Sequence, residues 1–303
     1  MKNIKKILIV LVLTVMLTTG CTRSFKDKET NTVYTENILC KPTNEASLKA
    51  YESNEKVDLD KLPNCEDLKV NSGGYEGLWT SLLVKPLAWV IVKVGLLVKN
   101  YGLSIIILGI LLRLLVLPLS MQTMNMSTGM QKANPELQRL EKKYAGRNDQ
   151  QSLMAKNQEM LMIYKKYNIK PFSGCLVSLI QLPLFFAFLE AIQRIPAILE
   201  EKLLWFDLGT TPWKAITSGN YYYIIIVILI GASTYFSFKN AGMTSVNEAQ
   251  AQQTKMMTKM MTVFIIFMSF TLNVGIGLYW VSTSAFAILQ NFILKKARDK
   301  KEK

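Results

Sequence analysis

Long apolar runs alternate with polar, charged segments through most of this chain. Residues 101–121, 172–193, 221–240, 258–273 and 276–294 each read as a run of apolar and small residues. About 20 helical residues at ~1.5 Å each cover the ~30 Å hydrocarbon core of a bilayer. The pattern therefore predicts an all-α membrane protein, a bundle of five transmembrane helices. The fourth run is short, and only a few residues separate it from the fifth, which predicts a tight hairpin. Ahead of these, 78–99 is apolar but carries Lys85, Lys93 and Lys99 on one helical stripe, with Trp79 and Trp89 among the apolar positions. That predicts an interfacial amphipathic helix, with a membrane span as the alternative. Between the first two spans, Met130, Leu137, Leu140 and Tyr144, then Leu153, Met160, Leu161 and Tyr164, recur at helical spacing. Gly146 and Asn148-Asp149 interrupt them. Two amphipathic arms in a hairpin over 122–170 are expected.

The N-terminus has a basic start (Lys2, Lys5, Lys6), an apolar centre (Ile7 to Leu17) and the ending Thr18-Thr19-Gly20-Cys21. This reads as a signal peptide over 1–20. Cysteine after glycine gives it the form of a lipoprotein signal, with lipidation, such as palmitate, at Cys21. The leucine expected three places before the cysteine is displaced to Leu17. Residues 21–77 are polar, with eight bases and eleven acids after Cys21, and read as an extracellular tether. Cys40 and Cys65 fall within it, either disulfide-bonded or as two free thiols.

Charge then sets orientation. The 303 residues carry a formal net charge of +14 and no histidine, which removes the commonest general base and metal ligand. No catalytic, metal or cofactor motif is present, and no Walker sequence. The 122–170 segment holds nine bases against four acids, and Lys295 to Lys303 six against two, while 194–220 is balanced. Basic segments stay cytoplasmic, which puts the lipidated N-terminus outside and the basic tail 297–303 inside. The bacterial cytoplasmic membrane is the expected location.

One residue contradicts the apolar pattern. Arg113 lies inside the first span, eight residues from Met121, about 12 Å from the cytoplasmic end. Its stem is too short to reach that surface. The spans contain one acid, Glu190, at a depth differing by roughly 13 Å. Polar residues at or below the arginine's depth are Gln181, Ser233, Thr234, Ser237, Ser282, Thr283, Ser284, Gln290 and Asn291. Helix-packing contacts explain each singly. Together they predict a hydrophilic groove open to the cytoplasm. An anion channel or transporter using Arg113 is the alternative function, and a lipoprotein scaffold a third. The first expects inverted repeats, which the sequence lacks.

YGLSIIILGILLRLLVLPLSMQ with MQKANPELQRLEKKY, YNIKPFSGCLVSLIQLPLFFAF, LLWFDLG and GLYWVSTSAFAILQNFILKK resemble, in order, segments of the YidC membrane protein insertase family. With its signal, the chain is similar to the SpoIIIJ-like lipoprotein branch of Gram-positive bacteria. The resemblance implies an insertase core over 100–296 that assists nascent membrane proteins without a covalent reaction, with or without the Sec translocon. Arg113, Gln181 and Trp280 match the family's groove positions, and 122–170 its mobile cytoplasmic hairpin. Membrane lipids are implied partners; the ribosome and the Sec translocon are candidates, and DNA is not. The chain departs from the family in having Ser178 and Asn273 near positions that are usually proline, a longer tether, and an extended loop TTPWKAITSGN.

Overall fold

The computed structural model describes residues 22–27, 33–147, 149–169, 173–240 and 248–300. The signal segment and Cys21 lie outside them. The chain divides into two compact units. One comprises residues up to 111, 179–227 and 269–282; the other comprises 112–178, 228–268 and the residues from 283 onward.

The first unit begins with the segment expected to be a flexible tether, and there the structure differs from that reading. A two-stranded antiparallel sheet, β1 (Ser24–Lys26) and β2 (Val33–Thr35), is followed by helix α1 (Glu45–Glu52), capped by Asn44. Cys40 and Cys65 are joined by a disulfide, with their Cα atoms 4.8 Å apart. Phe25, Tyr34 and Tyr51 form a small aromatic cluster, with centroids 5.3–5.7 Å apart. Short elements, one covalent bridge and a few rings order this segment, so no long apolar run announces it.

A π-helical turn (Thr80–Val84) leads into α2 (Lys85–Val98), which Lys99 ends in the left-handed conformation at φ 55°. The expected basic stripe does not face water as a whole. Lys85 is buried, and Lys93 donates to the Glu66 carbonyl at 2.9 Å. The preceding segment supplies those acceptors. Helix α3 (Tyr101–Leu115) begins where Glu201 accepts from the Tyr101 N–H at 2.6 Å and from Asn100 Nδ2 at 2.9 Å.

The helix breaks at Val116, and α4 (Leu117–Lys143) follows. Pro118 explains the break: it has no N–H for the Leu114 carbonyl, and its ring crowds that turn. Helix α4 and α5 (Gln150–Lys166) form the expected hairpin. Gly146 turns the chain at φ +79°, and Asp149 caps α5 through the Ser152 N–H. Ala133, Leu137 and Ile169 are buried between the arms, with Met126, Met130, Met160 and Tyr164 packed around them.

Helix α6 (Ser173–Gln193) leads to the short α7 (Pro196–Leu199), the hairpin β3 (Lys202–Leu203) with β4 (Phe206–Asp207), and α8 (Pro212–Thr217). Then come α9 (Ile224–Asn240), α10 (Glu248–Ser269) and α11 (Val274–Asp299). The α10–α11 connection lacks the proline its resemblance led us to expect. Backbone bonds hold it instead: Trp213 N–H to the Phe270 carbonyl, Val274 N–H to Thr210 and Gly275 N–H to Leu208, at 2.9–3.0 Å.

Among the described residues, three helices are long and apolar enough to cross a membrane: Thr80–Val98, Tyr221–Lys239 and Val274–Ala297. The broken pair α3–α4 makes a fourth if it counts as one span. The segment expected to lie in the interface therefore meets the length of a span. Helix α10 starts well before the expected fourth span, and its added turns carry Glu248 and Lys255.

Candidate functional site: a polar interior beneath an apolar surface

In helices α9, α10 and α11 of the second unit, burial runs opposite to that of a water-soluble domain. Helix α9 exposes Ile228, Leu229, Tyr235 and Phe236, and buries Ile230 and Thr234. Helix α10 exposes Met256, Met260, Val263, Phe264 and Phe267, and buries Thr262 and Ile265. Helix α11 exposes Leu289, Phe292 and Ile293, and buries Thr283, Ser284, Ala287 and Gln290. The buried positions of α11 fall at i, i+1, i+4 and i+7, one helical face, so three of the four residues on that face are polar. Water drives apolar side chains inward; a surface this apolar around a polar stripe suits hydrocarbon solvent.

Arg113 belongs to the same unit. It is half-buried on α3, one turn ahead of the Val116 break. A guanidinium stays charged at any physiological pH and offers five N–H donors. The break matters beside it, because Pro118 takes the helical donor away from the Leu114 carbonyl. Irregular backbone at membrane depth is tolerated where protein covers it or water lines it. Ser233 Oγ donates to the Ile230 carbonyl at 3.1 Å, and Thr262 Oγ1 to the Thr258 carbonyl at 2.8 Å. These hydroxyls thus spend their proton on their own helices and keep lone pairs for other donors. Gln290 Oε1 is buried and accepts no hydrogen bond among the described residues.

The residues expected to line one groove divide between the two units. Arg113, Ser233 and Ser284 lie in the second; Gln181 and Trp280 lie in the first. Trp280 meets Phe185 edge-on, at 5.3 Å between centroids. Phe185 is one helical turn from Gln181, so the tryptophan and the glutamine share one side of α6. Ser282, also in the first unit, donates to the Tyr279 carbonyl at 2.9 Å.

A second charged cluster was not anticipated. Arg194 is 1% exposed, at the end of α6. Its Nη2 meets Glu76 Oε2 at 2.5 Å, its Nη1 meets Glu190 Oε1 at 3.4 Å, and its Nε donates to the Asn37 carbonyl at 2.5 Å. Glu190 Oε2 accepts from Trp79 Nε1 at 2.8 Å. Lys85 Nζ completes the cluster on Glu76 Oε1 at 2.8 Å, and also donates to the Ser72 and Gly74 carbonyls. Burial works to raise the Glu76 carboxyl, but the hydrogen bonds from Lys85 and Arg194 outweigh it and hold it below the usual range. Glu190, the one acid within the expected spans, is therefore engaged here. The i,i+4 spacing of Glu190 and Arg194 was the available signal. Nearby, Glu200 Oε2 accepts from the Thr43 N–H, the Thr43 hydroxyl and the Asn44 N–H at 2.7–3.1 Å, tying the ordered N-terminal segment to the loop after α6.

Residues 93–302 match the family model of the 60Kd inner membrane protein. The membrane protein insertase MisCA of Bacillus subtilis (strain 168) is 37% identical over 218 residues, covering 72% of this chain and 79% of that protein. The membrane protein insertase YidC of Oceanobacillus iheyensis is 34% identical over 229 residues, covering 73% and 85%. Among solved structures, a crystal structure of an active YidC insertase with its first transmembrane domain resolved aligns with TM-score 0.51 at 24% identity. It covers 73% of this chain, which spans about half (48%) of that longer one, and the likeness speaks to the fold. From the family model and the relatives together, the chain belongs to the 60Kd inner membrane protein family, the family of the YidC insertases.

Proposed function

We propose that this protein is a membrane protein insertase that guides nascent proteins into the bilayer without a covalent reaction. The observation that carries the reading is the buried polar face of α11, set against exposed apolar helix faces in the unit that also contains the half-buried Arg113. A polar stretch of a client meets hydroxyls, the Gln290 carbonyl and a fixed positive charge there instead of hydrocarbon, which lowers its cost of entering the membrane. Arg113 attracts acidic residues of that stretch, and the attraction is stronger than in water because the surroundings are less polar. The client's apolar segment then partitions into lipid, which supplies the drive. Ser233 and Ser284 line the groove, and Gln181 and Trp280 join the site by their match to the family's groove positions.

Five spans, a cytoplasmic hairpin over 122–170, an external lipidated Cys21 and an internal basic tail complete the topology. The excess of nine bases over four acids in that hairpin supports the orientation. Nascent membrane proteins are the partners; the Sec translocon and the ribosome, met by the basic tail, are candidates. Arg113→Ala is expected to reduce insertion of a single-span client with an acidic N-terminal tail to background in proteoliposomes, while Arg113→Lys retains part of it. Normal insertion by Arg113→Ala would remove the electrostatic role. Chloride or phosphate flux through the same vesicles would instead favour a channel.

A further inference from the structure

Two large apolar side chains stand out from the first unit, one of them where the backbone resists placing it. The β3–β4 hairpin pairs Leu203 with Phe206, leaving Leu204 and Trp205 as a two-residue loop. Leu204 adopts φ +56°, a position where hairpins of this length ordinarily place glycine or asparagine. Leu204 is 76% exposed and Trp205 70%. The tip is braced at the same time: the Asp207 N–H donates to Tyr223 Oη at 2.9 Å, Tyr222 Oη donates to the Trp205 carbonyl at 3.3 Å, and the Phe206 ring lies 5.3 Å from that of Tyr223.

Those bracing residues fix the level of the tip. Tyr222 and Tyr223 form the 3-10 turn that opens the apolar stretch Tyr221–Lys239. Nineteen residues at ~1.5 Å each reach about 28 Å, the thickness of the hydrocarbon core, so that first turn sits at a membrane–water boundary. Tyr221 and Trp213 are exposed at 71% and 62% in the same unit, and Lys202 is exposed at the foot of the hairpin. Tryptophan and tyrosine belong in the headgroup layer, and a lysine stem of this kind reaches lipid phosphate.

We propose that the Leu204–Trp205 tip is a lipid wedge. It enters the interfacial layer of the phospholipid bilayer beside the start of α9, with Lys202 on a phosphate, and pins this loop to a fixed depth. The inference rests on the membrane placement of α9 under the proposed function. A nitroxide carried by Leu204→Cys in a Cys175→Ser background, with the full chain in phosphatidylcholine–phosphatidylglycerol vesicles, tests it through collision with oxygen and with a water-soluble nickel chelate. The oxygen-to-nickel ratio at position 204 should exceed that at Ser218→Cys by about threefold or more, as for a group in the interfacial layer. Trp205→Cys should behave likewise if the first variant folds poorly. A ratio at 204 equal to that at 218, with Ile228→Cys on α9 still oxygen-rich, overturns the wedge and leaves the span. A nickel-accessible 228 overturns the span itself. Dipolar broadening at 204 that grows with protein density assigns the tip to a second copy and overturns the lipid assignment.

Discussion

Arg194 shows how a buried charge is held at single-residue scale. It has a carboxylate on each side and a carbonyl on its Nε, and Lys85 neutralises the far oxygen of Glu76. Removing one member of such a set leaves the others desolvated and uncompensated. Arg194→Met is expected to destabilise the protein by about 3–5 kcal/mol, read as a large fall in Tm in detergent. A change below 1 kcal/mol would mean that water reaches the cluster. At this scale the sequence was partly legible. Arg113 was conspicuous because it interrupts an apolar run. Arg194 was not, because it lies just past the end of the expected second span, and its partner Glu76 is 118 positions away.

The α4–α5 hairpin is the element whose chemistry depends most simply on pH. Lys166 Nζ meets Glu136 Oε1 at 2.5 Å, and Lys143 Nζ meets Glu159 Oε1 at 2.6 Å, pairing the two arms antiparallel. The lysine hydrogen bonds hold both carboxyls below the usual range and both ammonium groups above it. Carboxyl groups lowered in the folded state stabilise it above their unfolded pKa of about 4.3, and lose that contribution as pH falls through the folded value. The lysines keep theirs below about 10.4 and lose it as pH rises beyond their raised values. Amide-exchange protection over 130–166 should therefore be level near neutrality and drop in acid, and salt should weaken it because these pairs are exposed. Protection that does not change in acid would leave the apolar contacts of Leu137 and Ile169 as the whole of the hairpin's stability. The hairpin was legible because its apolar positions repeat at helical spacing. The order in 33–77 was not, because no such repeat exists there; rings, caps and a disulfide take its place. The methionines divided in a way no composition could announce: Met126 and Met130 fill the hairpin core, while Met256 and Met260 are exposed.

For the whole molecule, a covalent bridge adds to what the helices hold. The Cys40–Cys65 bridge closes a loop with a sequence separation of 25, and loops of that size are worth about 3–4 kcal/mol through the unfolded state. Cys40→Ser with Cys65→Ser is expected to lower the Tm and to open 33–77 to protease, while insertion of clients persists. Loss of insertion together with an intact second unit would give the segment a direct part in function. The family motifs and the inside-out burial could be read from sequence because lipid demands long apolar runs. The division of the groove residues between two units could not, because periodicity carries no long-range information.

The engagement of Arg194 also fixes an order of events in time. Glu76 and the Asn37 carbonyl are synthesised long before their arginine, and the Thr43–Glu200 contacts span 157 positions. At 5–20 residues per second, Glu76 precedes Arg194 by roughly 6–24 s. During that interval Lys85 is the one cationic member of the cluster already made, and the Cys40–Cys65 loop can oxidise without its seat. The 33–77 segment is thus made well before the residues that dock it. This chain therefore passes through a stage as an unfinished membrane protein, its 33–77 segment made before the helix end that will hold it.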